Sequence, residues 1–343
     1  MEIKGRSTCF AEDVVVETLS RLPVKSLLRI MCVSKEWHAL IKSSYFTAVH
    51  LQRSGSNLLL LFSRTTVYED SIYTISLLRN EPTHLSLDLP FINCPRMHWL
   101  VPAGSSSGLV CLKISDPLSQ YIVIWKPATK QFRFLPDSRD DHYLLGFEFF
   151  HDTKDYKVVS ILEPIDNTIR ANVFTRSTNS WREVKTHHCC SSHPVYFLGT
   201  SSSITLNGVL YSPLWINDLR PHVLSFNLRD EVFHAIPLPE SSIAGRIDLL
   251  SWKNSLAFLG GCEYKPSRHS RELWFILEPS SSLPRDILGC WKDEYLLEGD
   301  NSNHLHCYDL ASNKLKRLPH HDHTHDYSYE KAINYVERLV SVD

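Results

Sequence analysis

The sequence predicts a mainly β protein with a small all-α N-terminal domain, the β part closing as a propeller. Two observations carry this. Residues 21–41, RLPVKSLLRIMCVSKEWHALI, hold a dense apolar run with helical spacing. From about residue 57 onward the apolar residues recur instead in short aromatic hairpins at one repeated spacing.

The helical part divides into three elements. Val15, Leu19 and Leu22 recur at i, i+4 and i+7, which places them on one helix face. Glu12 and Asp13 lie in its first turn, where carboxylates favour the positive end of the helix dipole. Pro23 cannot continue that helix. A second helix is predicted over about 24–31, VKSLLRIM. A third is predicted over about 35–42, with Ser34 as N-cap and Trp37 and Ile41 aligned. Val14, Val15 and Val16 point in three directions and cannot all face one small core. A unit of about 40 residues is marginal by itself. Part of its apolar surface therefore either docks another chain or packs on the downstream domain. Pattern alone leaves both open.

The β part repeats. IWKPATKQFRFLP (124–136), VFTRSTNSWREV (173–184), LSFNLRDEVFHAIP (224–237) and HCYDLASNKLKRLP (306–319) share one layout. Each has an aromatic anchor, Trp125, Phe174, Phe226 or Tyr308. Seven residues later comes Phe132, Trp181, Phe233 or Leu315, and ten residues later Leu135, Val184, Ile236 or Leu318. Turn residues lie between, so each unit reads as a β-hairpin. Trp274 continues the series of anchors, which stand about 50 residues apart, the period of kelch-type propellers. That spacing predicts about six blades; the alternative is a large β-sandwich. The expected boundaries are a helical domain at 1–45, a connection at 46–56 and a β domain at 57–343. Tyr45, Phe46, Val49 and Leu51 equip the connection to continue apolar packing.

Composition narrows the function classes. Apolar residues make up 43% and charged residues 22% of 343, and the net charge is −2. Nothing electrostatic points to nucleic acid or an acidic membrane as partner. The N-terminus has no apolar core of a signal peptide. Nine irregularly spaced cysteines and no Asn-x-Ser/Thr site fit a reducing compartment, cytoplasm or nucleus.

Three segments imitate chemistry. GSSSG (104–108) fits the G-x-S-x-G nucleophile elbow, but a strand-like GLVCL follows where that elbow needs a helix. A polar turn feeding a strand accounts for it. HHCCSSH (187–193) and HHDHTHD (320–326) are rich in metal-binding side chains but lack paired ligand spacing. They read as connecting loops. No phosphate-cradling glycine motif occurs. No cofactor, no metal and no catalysis are therefore expected.

The stretch EDVVVETLSRLPVKSLLRIMCVSKEWHALIKSSYF closely resembles the F-box of plant F-box proteins, in RLPVKSLLR, VSKEW and the Ser-Ser-x-Phe ending. GSSSGLVCL, IWKPATKQFRFLP, DYKVV, NSWREV, LNGVLY and YVERLVSV resemble successive pieces of the F-box-associated, kelch-like domain. The resemblance spans about residues 10–342. The overall layout is also similar to the S-haplotype F-box proteins of pollen. Two positions depart from the pattern: Phe10-Ala11 stand where the family has Leu-Pro, and Thr18 stands where Ile is usual. The missing Pro removes a favourable first-turn residue.

The resemblance implies a non-catalytic, substrate-recognition subunit of a Skp–cullin–F-box ubiquitin ligase. The helical unit would dock on a Skp-type adaptor, and through it on a cullin, while the β domain holds the target protein. The residues implied for adaptor contact are Phe10, Val14, Leu19, Leu22, Pro23, Leu27, Leu28, Val33 and Trp37. Candidate substrate loops are 187–194, 214–222 and 262–271, with His193, Trp215, Arg220, His222, Tyr264, Lys265 and Arg268. The competing readings are an adaptor-independent propeller scaffold and a metal-binding propeller enzyme.

Overall fold

The computed structural model describes residues 12–54, 59–66, 73–78, 84–87, 89–91, 99–115, 119–138, 144–164, 168–185, 195–197, 203–216, 220–238, 247–252, 255–260, 286–291, 295–299, 305–309, 314–317 and 327–338. The N-terminal unit has four helices, α1 (Glu12–Leu19), α2 (Val24–Met31), α3 (Lys35–Lys42) and α4 (Ser44–Ser54). Ser34 caps α3 as expected, its hydroxyl accepting from the Trp37 amide at 3.2 Å.

The fourth helix occupies the stretch expected to be a connection. The Ser43 hydroxyl accepts from the Phe46 amide at 3.1 Å and starts it. Phe46, Val49, His50 and Arg53 then recur at i, i+3, i+4 and i+7, which turns all four toward the other helices. Phe46 is fully buried beside Val16, Leu19, Leu27 and Ile41, and Val49 packs against that core. Imidazole Nε2 of His50 lies 3.3 Å from the Leu22 carbonyl. Arg53 donates to the Glu17 carbonyl at 3.0 Å and to the Ser20 hydroxyl at 2.6 Å, and pairs with the Glu17 carboxylate. α4 is thus riveted to α1.

The β domain forms six sheets among the described residues. Blade 1 begins with β1 (Leu59–Thr66), β2 (Tyr73–Leu78) and β3 (His84–Leu87). Blade 2 is β4 (Trp99–Ser106), β5 (Leu109–Ser115), β6 (Gln120–Lys126) and β7 (Gln131–Phe134). Blade 3 is β8 (Leu144–Phe150), β9 (Asp155–Ile161), β10 (Arg170–Thr175) and β11 (Ser180–Lys185). Blade 4 has β12 (Val195–Phe197) and β13 (Ile204–Leu206), both on the inner edge of β14 (Val209–Ile216), then β15 (Arg220–Asn227) and β16 (Val232–Pro237). Blade 5 shows β17 (Ile247–Trp252) and β18 (Ser255–Gly260). Blade 6 is β19 (Asp286–Trp291), β20 (Tyr295–Gly299), β21 (Leu305–Asp309) and β22 (Lys314–Arg317). The last strand, β23 (Tyr327–Tyr335), returns to blade 1 and pairs antiparallel with β1.

The ring closes. Contacts run from β23 to β4, β4 to β8, β8 to β14, β14 to β17, β17 to β19 and β19 back to β23. A sandwich has no such cycle, so the architecture is a six-bladed propeller completed by its C-terminal strand.

The repeat has a direct structural meaning. Its seven-residue interval is a cross-strand pair: Trp125 faces Phe132, Phe174 faces Trp181, Phe226 faces Phe233 and Tyr308 faces Leu315. The anchors Trp125, Phe174 and Phe226 are buried between blades. The last turn residue of three of these hairpins, Lys130, Asn179 and Glu231, is left-handed each time. Trp274 lies outside the described residues.

Apolar cores fill the blade interfaces, with Trp125 and Phe91 between blades 1 and 2, and Phe147, Tyr156 and Phe174 between blades 2 and 3. Two buried lysines break the pattern among the described residues, Lys126 of β6 and Lys331 of β23. Lys331 of β23, on the inner edge of blade 1, donates to the Ser203 carbonyl of blade 4 at 2.7 Å. Burial lowers its pKa to about 8.

Candidate functional site

Two surfaces collect the candidate residues, one on the helical unit and one on the propeller. On the helical unit the expected docking residues divide by depth. Leu19 and Leu27 belong to the core, at 5% and 0% exposure. Leu22, Leu28 and Trp37 are half-buried, and Leu22 and Trp37 pack against that core. Val14, Pro23 and Val33 are exposed; Val14 reaches 53% and Val33 75%. Phe10 lies outside the described residues.

The local sequence explains the division. α2 turns Val24 and Leu27 inward, leaving Pro23 and Val33 beyond its two ends. In α1, Val16 is buried, Val15 half-buried and Val14 open, as three consecutive valines on a helix must be. Tyr45 of α4 adds an exposed aromatic at 59% that was expected to continue the packing. A cap adjacent to it, Ser43, starts a helix that turns Phe46 inward and Tyr45 outward.

The charges around this unit serve the bundle. Arg53, then Arg21, holds the Glu17 carboxyl below its ordinary range by hydrogen bonding. The Glu36 carboxyl is lowered by its own backbone amide and by Ser34 at the start of α3. Burial lowers the His50 imidazole pKa, which keeps the ring neutral at pH 7.

The propeller has two unlike faces. Tight turns after the innermost strands (107–108, 151–154, 207–208) and between the outer strands (127–130, 176–179, 228–231) share one face. Ion pairs cross blades there. Arg229 of blade 4 makes a two-pronged contact with Asp152 of blade 3, at 2.7 and 3.1 Å, over the Phe150 ring. It holds the Asp152 carboxyl at about 2. Glu231 receives Lys157 at 2.8 Å and also pairs with Arg182. Burial alone would raise the Glu231 carboxyl; the two cations hold it below its ordinary range. Leu59, where the chain enters the propeller, pairs with Tyr335 and belongs to this same face. Only residues 55–58 separate it from α4.

The described strand ends that border the candidate substrate segments lie on the opposite face. Ile216 and Arg220 pair across the β14–β15 connection, Trp215 faces Pro221, and His222 faces Leu214. Val195, the first residue of β12, pairs with Ile216, so β12 begins at the end of blade 4 where β14 ends. Gly260, which precedes segment 262–271, pairs with Ile247 at the start of β17, on the same face as the start of β12. His222 is half-buried. His193, Tyr264, Lys265 and Arg268 lie outside the described residues, as do both histidine-rich segments.

GSSSG is a strand end and a turn. Ser107 and Gly108 form the two-residue tip between β4 and β5, both with positive φ (55° and 80°), the geometry of a primed hairpin turn. The Ser106 hydroxyl donates to Glu148 Oε1 at 2.6 Å and accepts from the Phe149 amide at 3.2 Å. Ser106 is therefore an inter-blade bridge. Among the described residues no group of three or more His, Cys, Asp or Glu side chains converges as a metal site would require.

Two family models match this chain: the F-box domain over residues 8–48 and the F-box associated beta propeller domain over residues 57–281. An F-box protein of Arabidopsis thaliana aligns at 29% identity over 75% of this chain and 66% of its own length. An F-box/kelch-repeat protein of the same plant aligns at 27% over 90% of this chain and 76% of its own length. Among solved structures, TolB from Acinetobacter baumannii superposes with a TM-score of 0.51 at 10% identity, over 85% of this chain and 73% of that one. The last comparison bears on the fold alone.

Proposed function

Because the chain belongs to the plant F-box proteins that carry an F-box-associated β-propeller, and so has the general role of a substrate receptor, we propose that it is the recognition subunit of a Skp–cullin–F-box ubiquitin ligase. The observation that carries this is the solvent-facing apolar set at Val14, Pro23 and Val33, on a unit whose small core is already filled by Val16, Leu19, Leu27, Ile41 and Phe46. A Skp-type adaptor covers that set, and Leu22, Leu28 and Trp37 support it from half-buried positions. Leu19 and Leu27 act through the shape of the bundle. The protein works in the cytoplasm or nucleus and carries out no bond chemistry. It raises the concentration of a captured target near a charged ubiquitin-conjugating enzyme and fixes its geometry.

The target binds the loop face. That face is opposite to the one at which β1 enters the propeller. Affinity purification with mass spectrometry tests this placement. The triple variant Trp215→Ala, Arg220→Ala, His222→Ala is expected to retain the adaptor and lose at least one protein captured by the wild type, by about tenfold or more. Identical captured sets would place substrate recognition elsewhere.

A further inference from the structure

We propose that the tip of the β4–β5 hairpin, Ser105 to Gly108, acts with His151 as a latch over the C-terminal segment 334–338, and that opening this latch frees β23 from β1 before any other blade yields. The ring is closed by one non-covalent junction. Blades 2 and 3 are built from consecutive strands, whereas blade 1 takes its innermost strand from the far end of the chain. Whatever holds that strand holds the ring.

Three contacts hold it from blades 2 and 3. The Ser105 hydroxyl donates to the Asn334 carbonyl. Gly108 lies directly under the chain at Arg338: a Cβ on it would stand 2.6 Å from the Arg338 amide nitrogen. With φ at +80°, that site excludes a side chain by conformation as well as by space. His151, from the β8–β9 turn, places Nε2 at 2.8 Å from the Ser107 hydroxyl and 3.5 Å from Nη1 of Arg338. A neutral ring whose Nε2 is an acceptor satisfies both contacts, the hydroxyl and the guanidinium each donating. Phe149 stands edge-on to the imidazole at 5.2 Å.

The latch is weak by construction. Among the described residues, Nε of Arg338 is buried without a hydrogen-bond partner, an uncompensated cost. On β23, which ends three residues before Arg338, the buried Lys331 has one carbonyl as acceptor and no carboxylate within ion-pair distance among the described residues. The groups facing His151 are Ser107, Arg338, Glu148 and Asp152. Burial first, then Arg338, lowers its pKa, against the opposing pull of Glu148 and Asp152. The folded state thus disfavours the imidazolium. Its contribution is complete above about pH 6.5 and is lost as pH falls from there toward the folded value. Since β1 follows α4 by only four residues, release of β23 also loosens the root of the helical unit.

Hydrogen exchange of the full chain, read by mass spectrometry, tests the latch. In Gly108→Val, peptides from β23 and β1 are expected to exchange about tenfold faster or more, while β9 and β10 stay within about twofold. In the wild type, lowering the pH from about 7 to about 5.5, with intrinsic rates corrected, is expected to cost β23 several-fold more protection than β9. In His151→Gln that difference between strands disappears. The wild-type pH arm stands even if Gly108→Val does not fold. Equal acceleration of all blades in Gly108→Val, an equal response of β23 and β9 to pH, or an unchanged difference in His151→Gln would overturn the proposal.

Discussion

Replacing Leu27 by Ala is expected to unfold the helical unit while leaving the propeller folded. Leu27 is fully buried and touches a core of only four other fully committed apolar side chains, Val16, Leu19, Ile41 and Phe46. Truncating a buried Leu costs about 2–5 kcal/mol, because the cavity adds to the lost transfer energy. A unit of about 40 residues has no such reserve. α4 cannot rescue it, since the Arg53–Glu17–Ser20 contacts hold α4 to α1 and not to α2. Exchange protection over residues 12–54 should collapse, and that over β5, β9 and β10 should persist. If the helices remained protected, the bundle would owe its stability to something other than this core.

Removing residues 327–343 is expected to open the ring. β23 contributes a full ladder to β1, the buried side chains Tyr335, Ala332 and Lys331, and both edges of the closing contact with β4 and β19. At about 1 kcal/mol net per hydrogen bond and about 2 kcal/mol for burying the tyrosine ring, the loss is at least about 5 kcal/mol. The truncated chain would also expose the inner edge of β1, a template for pairing with other chains. A thermal melt should show a transition lowered by about 10 °C or more, accompanied by aggregation. Equal melting of wild type and the longer truncation would mean that β23 does not close the propeller.

Much of this architecture could be read before folding because it is local. The seven-residue interval in each repeat is the distance between facing residues of a hairpin with a four-residue turn, so it appears in the chain as plain spacing. Pro23 announced the end of α1 and Ser34 the start of α3 for the same reason. Helix α4 was hidden. Ser44 follows α3 with no Gly or Pro between them, and its inward face mixes Phe46 and Val49 with His50 and Arg53. The polar members are satisfied only by partners far along the chain, Leu22, Glu17 and Ser20.

Depth within the helical unit was equally hidden. Leu27 and Val33 are alike as residue types, and only assembly of four helices sends one to the core and the other to solvent. The role of GSSSG follows a similar course. Its turn character was clear from the strand that follows it, but its contacts lie with Glu148, His151, Asn334 and Arg338, up to 230 positions along the chain. Closure itself depends on β23 meeting β1, a pairing that no local spacing encodes.

The central claim is that the exposed apolar set of the helical unit docks a Skp-type adaptor. Its most direct test is calorimetric titration of a purified Skp-type adaptor into the full chain, beside the variant Val33→Asp. Val33 is 75% exposed, so the change leaves the bundle core untouched. The wild type is expected to bind one adaptor with a dissociation constant of about 1 µM or tighter, and Val33→Asp to bind at least about a hundredfold more weakly with its helices intact. A wild type that does not bind, or a variant that binds as well as the wild type, would contradict the account.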